Sequence, residues 1–157
     1  MRTGALIGLV FGLLWWWVGA GAVAGISGTV LHITGILIFT ATGIWIFRRQ
    51  ASPPRGTPRW NYYVIAVIAE VVAIMLAQKW LIVRGLGPLI FPAVGVIVGL
   101  HFTGLWQAFG RRRFLVLSIV MTVVNLLALL LPLAPRERLL LSGFGSSASL
   151  LVTVLLP

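Results

Sequence analysis

Apolar residues run through this chain in long unbroken blocks, without the alternation of a half-buried strand or the one-sided stripe of a soluble helix. The blocks fall at 4–23, 29–47, 60–79, 88–109, 114–131 and 139–156. Each is close to the roughly 20 residues that carry a helix across a bilayer. The breaks between them have their own chemistry. Gly25-Ile26-Ser27-Gly28 predicts a tight turn, Ser52-Pro53-Pro54-Arg55-Gly56 a helix-breaking linker, and Arg84-Gly85-Leu86-Gly87-Pro88 a second hairpin closure, while Pro132 and Pro135 mark the last. The pattern predicts an all-α, polytopic integral membrane bundle, with about six transmembrane helices in three hairpins and one domain over 1–157. A weaker alternative makes the first or last segment re-entrant, leaving five or four crossings. The first block is the least secure span, because Arg2, an apolar stretch and Ala20-Gly21-Ala22 mimic a signal peptide with its cleavage site.

Composition agrees with this class. Of 157 residues, 60% are apolar and 9% charged, against roughly 45–50% and 25% in a soluble domain. The mean hydropathy is +1.09. There is no cysteine, which removes disulfides, thiolate nucleophiles and thiolate metal centres together.

The net charge of +10 would suggest nucleic acid on a soluble surface, so the placement of the charges decides its meaning. Arg48, Arg49, Arg55 and Arg59 share one linker and Arg111, Arg112 and Arg113 another, with apolar spans between. That is the distribution of loop charges that orient a membrane protein, and it argues for membrane lipid as partner and against nucleic acid. With the N-terminus inside, Arg2 and these seven make eight inside, against Lys79, Arg84, Arg136 and Arg138 outside. The expectation is a prokaryotic inner membrane protein with both termini cytoplasmic.

Thr42-Gly43-Ile44-Trp45 before Phe47-Arg48-Arg49 is echoed by Thr103-Gly104-Leu105-Trp106 before Phe109 and Arg111-Arg112-Arg113, 61 residues later. The echo suggests a duplicated hairpin, or two inward-going helix ends with the same interfacial chemistry. Gly4, Gly8 and Gly12, Gly21 and Gly25, and Gly95 and Gly99 stand at four-residue spacing, the spacing that lets helices approach closely within a bundle or between copies. Trp15-Trp16-Trp17 reads first as an outer interfacial belt, and as a protein-facing cluster second. Trp60, Tyr62 and Tyr63 read as the opposite belt.

Glu70 is the only acidic residue within a predicted span. An unpaired carboxylate there costs at least roughly 2.5–3.5 kcal/mol, so it is expected to be protonated, paired or facing water. At 1.5 Å per residue Glu70 lies roughly 15 Å, and His101 roughly 12 Å, from the cytoplasmic ends of adjacent antiparallel helices. The two are therefore placed to meet. Asn125 and the group Ser146, Ser147 and Ser149 fall near mid-depth and Thr40 somewhat lower, which predicts one polar layer through the bundle centre. That layer is either a binding site or proton relay centred on Glu70 and His101, or interhelical hydrogen bonding.

Other chemistries lack their parts. His32 lies about 10 Å from the depth of His101, too far to clamp one haem with it. With two His, no Cys and no Asp, a hydrolytic metal site or Ser-His-Asp triad cannot be assembled, and no phosphate-cradling glycine loop is present. No cofactor, metal or catalytic residue is expected.

Phe91-Pro92 and Ile97-Val98-Gly99-Leu100-His101-Phe102, with Glu70-Val71-Val72-Ala73-Ile74 one helix earlier, resemble a family of small prokaryotic multi-pass membrane proteins marked by an Ile-Val-Gly-Leu-His-Phe helix. The likeness covers roughly 60–131. Such relatives continue with Pro-Leu-Ala where this chain has Thr103-Gly104-Leu105. The resemblance implies the membrane fold and draws attention to His101, but brings no activity with it. The sequence leads first to a small-solute or proton-coupled transporter or channel. Its rival is a non-catalytic subunit of a larger membrane complex or homo-oligomer.

Overall fold

In the computed structural model, residues 2–48 and 58–155 are described, with side chains from Ala5 onward. The described residues form six long helices: α1 (Arg2–Gly21), α2 (Gly25–Arg48), α3 (Trp60–Val83), α4 (Ile90–Phe109), α5 (Arg112–Leu130) and α6 (Pro135–Leu155). A single 3-10 turn, Gly87–Leu89, precedes α4. Five segments, all but α1, are long and apolar enough to cross a membrane, and α1 contributes the apolar stretch Ala5–Gly21. The chain is a multi-pass membrane bundle of the all-α class. The linker at 52–56 and Gly4 lie outside the residues whose surroundings are described.

The helix boundaries differ from the sequence expectation by about one turn in three places, each for a local reason. The first reversal occupies Ala22–Ala24, closed by Ala22 N–H to the Gly19 carbonyl (3.1 Å) and Val23 N–H to that of Ala20 (2.9 Å). Gly25, at φ 73°, opens α2 in the left-handed region that glycine adopts without strain. Gly28 is therefore helical, not part of the turn. α3 runs on to Val83, carrying Lys79 and Trp80. α6 starts at Pro135 rather than 139, since proline suits a first helical position, and the Glu137 carboxylate accepts from the Ala134 N–H at 3.0 Å.

Neighbouring helices are antiparallel, and their contacts order them as α2, α1, α6, α5, α4, α3, with α4 also reaching α6. The bundle is thus a folded row with α2 and α3 at its two edges. The first hairpin places its second helix outside, and the second hairpin places its first helix outside. The echoed Thr-Gly-hydrophobic-Trp ends therefore do not occupy equivalent positions. A Cβ added at Gly43 would meet Leu9 of α1 at an ordinary 3.6 Å, while one at Gly104 would clash with Ala66 of α3.

Burial follows the row. α3 exposes nearly all its apolar surface, whereas α6, the least apolar of the five spans, is the most enclosed. Ser118, Asn125, Ser142, Ser146 and Ser147 are buried, while Ile65, Met75, Leu76 and Ile82 on α3 are outward. That polarity is inverted relative to a soluble protein, as expected where lipid is the solvent.

Since the hydrophobic effect does not draw helices together in lipid, small residues must admit close contact. At the α1–α6 seam an added Cβ on Gly143 would strike the Gly19 backbone, and one on Gly8 would stand 2.9 Å from Val154. Gly95 and Gly99 serve the α4–α5 seam, facing Asn125 and Thr122. Gly21 and Gly25 have open space instead. The tryptophan triplet does not form a belt as a unit. Trp15 is buried with Leu117, Met121 and Leu150, and Trp16 fills the notch left by Gly35. Only Trp17 is directed outward.

Candidate functional site

α4 organises the polar groups because it has two working faces. Gly95, Gly99 and Thr103, at i, i+4 and i+8, meet Asn125, Thr122 and Ser118 of α5. His101, Gly104 and Ala108 meet Glu70, Ala66 and the Arg59 backbone of the α3 side. His101 and Thr103 are two residues apart, about 200° round the helix.

The depth arithmetic brings Glu70 and His101 together, and the structure places Glu70 Oε2 3.4 Å from His101 Nδ1. The contact is electrostatic and not a formed hydrogen bond, for the buried Nδ1 has no hydrogen-bond partner. The Glu70 side chain is 20% exposed and that of His101 10%, so the pair lies in the groove between edge helix α3 and α4, with an opening to the outer surface.

Asn125 lies in a different environment. It is fully buried, donates from Nδ2 to the Met121 carbonyl and to Ser146 Oγ (both 2.8 Å), and accepts from the Ser142 hydroxyl at 2.6 Å. Both amide hydrogens and the carbonyl oxygen are therefore engaged. Gly95 supplies the socket: any Cβ there would occupy the space of the Asn125 amide.

The single polar layer expected from depth alone resolves into two sites. Asn125 packs on Gly95, six residues before His101 on α4, an axial offset of about 9 Å. The two sites also use opposite sides of α4. Among the described residues no hydrogen bond or ion pair joins them. Ser146 belongs to the Asn125 cluster. Ser147 is buried beside it with a hydroxyl that has no partner. Ser149 donates back to the Gly145 carbonyl at 2.7 Å, within its own helix. Thr40 is exposed on edge helix α2 and joins neither site. His32 is tied through Nδ1–H to the Gly28 carbonyl at 2.7 Å.

Several polar contacts are not given by the sequence pattern. Ser142 closes the Asn125 cluster, although its place one helical turn before Ser146 was a usable signal. Thr103 and Ser118 share a 2.7 Å hydrogen bond between α4 and α5. Arg138 turns back across the last loop, where Nη1 donates to the Ala128 and Leu129 carbonyls (2.6 and 2.9 Å) and Nη2 to those of Leu131 and Leu133. The carbonyls left without helical partners at the α5 C-terminus thus receive a cation that also favours the negative end of the helix dipole.

Most seams now have one polar clasp. Trp16 Nε1–H donates to the Leu31 carbonyl (2.8 Å) between α1 and α2, Glu70 faces His101 between α3 and α4, Thr103 pairs with Ser118 between α4 and α5, and Asn125 joins the serines between α5 and α6. The α1–α6 seam relies on glycine contact. No protein family, curated protein or solved structure matches the chain.

Proposed function

We propose that the chain is a non-catalytic membrane subunit, a helical scaffold that packs within a larger membrane complex or against its own copies. The observation that carries this reading is the closure of the Asn125 cluster. All three of its hydrogen-bonding contacts run to neighbouring protein groups inside a fully buried site, which suits a fastener that sets helix register. Short connections support the same reading, as do the largely unpacked faces of α2 and α3. In this account the arginine-rich end, where α1 starts and α6 finishes, faces the cytoplasm of a prokaryotic inner membrane, and the protein shares its architecture with the small multi-pass family that the Ile97–Phe102 segment resembles.

A second reading has one observation in its favour. The Glu70–His101 pair is ionisable and not closed by a hydrogen bond, as a proton-coupled transporter or channel would require. Proton flux in liposomes separates the two. The scaffold reading expects wild-type protein to conduct no more than empty vesicles. A wild-type flux abolished in both Glu70→Gln and His101→Ala, with each variant still monodisperse on gel filtration, would overturn it in favour of transport.

A further inference from the structure

Thr40 joins neither polar site, and its place on α2 sets it apart from the other polar residues of the bundle. α2 is an edge helix that packs on α1, with Gly28, Gly35 and Phe39 on its buried face. The opposite face is left outward. Ile26, Val30, Ile33, Leu37, Thr40 and Ile44 lie along it at alternating spacings of four and three residues, and the five apolar members are each more than half exposed. Such a stripe keeps one line of the helix turned toward a partner that crosses it at about 20°, the geometry of left-handed helix pairs. From Ile26 to Ile44 it runs about 27 Å, nearly the thickness of the hydrocarbon core.

Thr40 interrupts this apolar stripe. Among the described residues it is the only exposed side chain with a hydrogen-bonding group that stands more than two turns from both ends of its helix. The neighbouring threonines have closed on their own helix: Thr34 donates to the Val30 carbonyl and Thr42 to that of Ile38, both at 2.8 Å. The Thr40 hydroxyl has no hydrogen bond among the described residues. Acyl chains offer neither donor nor acceptor at this depth, about 12 Å from the Arg48 end of the helix. A partner that satisfies Thr40 therefore has to bring a polar group to the same level.

Two copies inserted in the same direction meet this requirement by symmetry. Where α2 packs on α2 about a two-fold axis along the membrane normal, equal residue numbers lie at equal depth, and each Thr40 faces its twin. A hydroxyl is both donor and acceptor, so one bond forms between them. The other unpacked face, on α3, offers no such group. Its exposed side chains between Val64 and Leu76 are all apolar, and a copy seated with α3 against α2 would leave Thr40 unbonded.

We propose that the outward face of α2 is the interface at which two parallel copies of this chain pair, with Ile33, Leu37 and Ile44 in the seam and the two Thr40 hydroxyls bonded across it. The proposal rests on the scaffold reading and names its partner.

The test uses the full chain in liposomes. Since there is no native cysteine, single substitutions report the seam by oxidative cross-linking: Leu37→Cys on α2, and Val71→Cys at matching depth on the outward face of α3. Association is measured in parallel by energy transfer between copies labelled at the amino terminus and diluted with lipid. The pairing requires a covalent dimer from Leu37→Cys and little from Val71→Cys. It also requires Thr40→Val, which keeps the shape and removes the hydroxyl, to weaken association about threefold, the effect of one membrane hydrogen bond. Thr40→Ser should associate as wild type does. A monomeric wild type, cross-linking through Val71→Cys instead of Leu37→Cys, or a Thr40→Val variant that associates as tightly as wild type would overturn the proposal. Failure of the scaffold reading is seen separately, as proton flux abolished in Glu70→Gln and His101→Ala. A monomeric chain that conducts nothing overturns the pairing and leaves the scaffold reading standing.

Discussion

Gly95 and Asn125 show how little freedom a membrane interior leaves to a single side chain. The Asn125 amide is fixed on three sides by Met121, Ser142 and Ser146, and its fourth side is the bare backbone of Gly95. Neither partner can yield to an added methyl group. Gly95→Ala is therefore expected to lower stability in detergent by about 1–3 kcal/mol, the range for overpacking a well-filled core. Gly21→Ala, which meets open space, should change it by less than about 0.5 kcal/mol. Asn125→Ala should lose about 2 kcal/mol, the sum of three membrane hydrogen bonds at about 0.6 kcal/mol each. Combining it with Gly95→Ala should cost less than the two single losses together, because the clash disappears with the amide. Unfolding titrations of the four variants check all of this, and strictly additive losses would argue against the socket.

At the scale of elements, Arg138 is the residue on which the last hairpin depends. It joins α6 to the carbonyls of Ala128, Leu129, Leu131 and Leu133, and charge-assisted bonds of this kind contribute about 1.5–3 kcal/mol when a partner is lost. Arg138→Ala is expected to destabilise by about 2 kcal/mol, and Arg138→Lys to recover less than half of that, since an ammonium cannot span several acceptors at once. Full recovery by lysine in the same titration would show that charge alone suffices.

The helices themselves were legible because lipid demands long apolar runs, and the errors at their ends arose where a special residue acts over one turn. Gly25 takes a left-handed conformation and lets α2 begin early. Pro135 and the Glu137 cap allow charged residues into the first turn of α6. The meeting of Glu70 with His101 was legible from axial rise alone. The separation of Asn125 from that pair was not, because it depends on rotation about α4 as well as depth. The role of Ser142 is hidden for a related reason, since depth does not say which serine of α6 faces α5.

At the scale of the whole molecule, the order α2, α1, α6, α5, α4, α3 puts the most polar helix inside and the most apolar surface outside. The same order gathers Arg48, Arg59 and Arg111–Arg113 at one end. Charge asymmetry predicts that this end is cytoplasmic. Because the chain has no native cysteine, single substitutions report orientation cleanly. In spheroplasts, Leu86→Cys should react with a membrane-impermeant maleimide and Gln107→Cys should react only after lysis, whereas the opposite pattern would reverse the orientation.

If the polar groups of this bundle bind helix to helix, Glu70 and His101 are the hardest case, because no hydrogen bond joins them. A double-mutant cycle on Glu70→Ala and His101→Ala, read as unfolding free energy in detergent, measures their interaction directly. Helix-to-helix binding requires a coupling of about 0.5–1.5 kcal/mol, in the range for contacting groups in membrane helices. A coupling indistinguishable from zero, with both single variants folded, would contradict it: the pair would then meet across the α3–α4 seam without holding it.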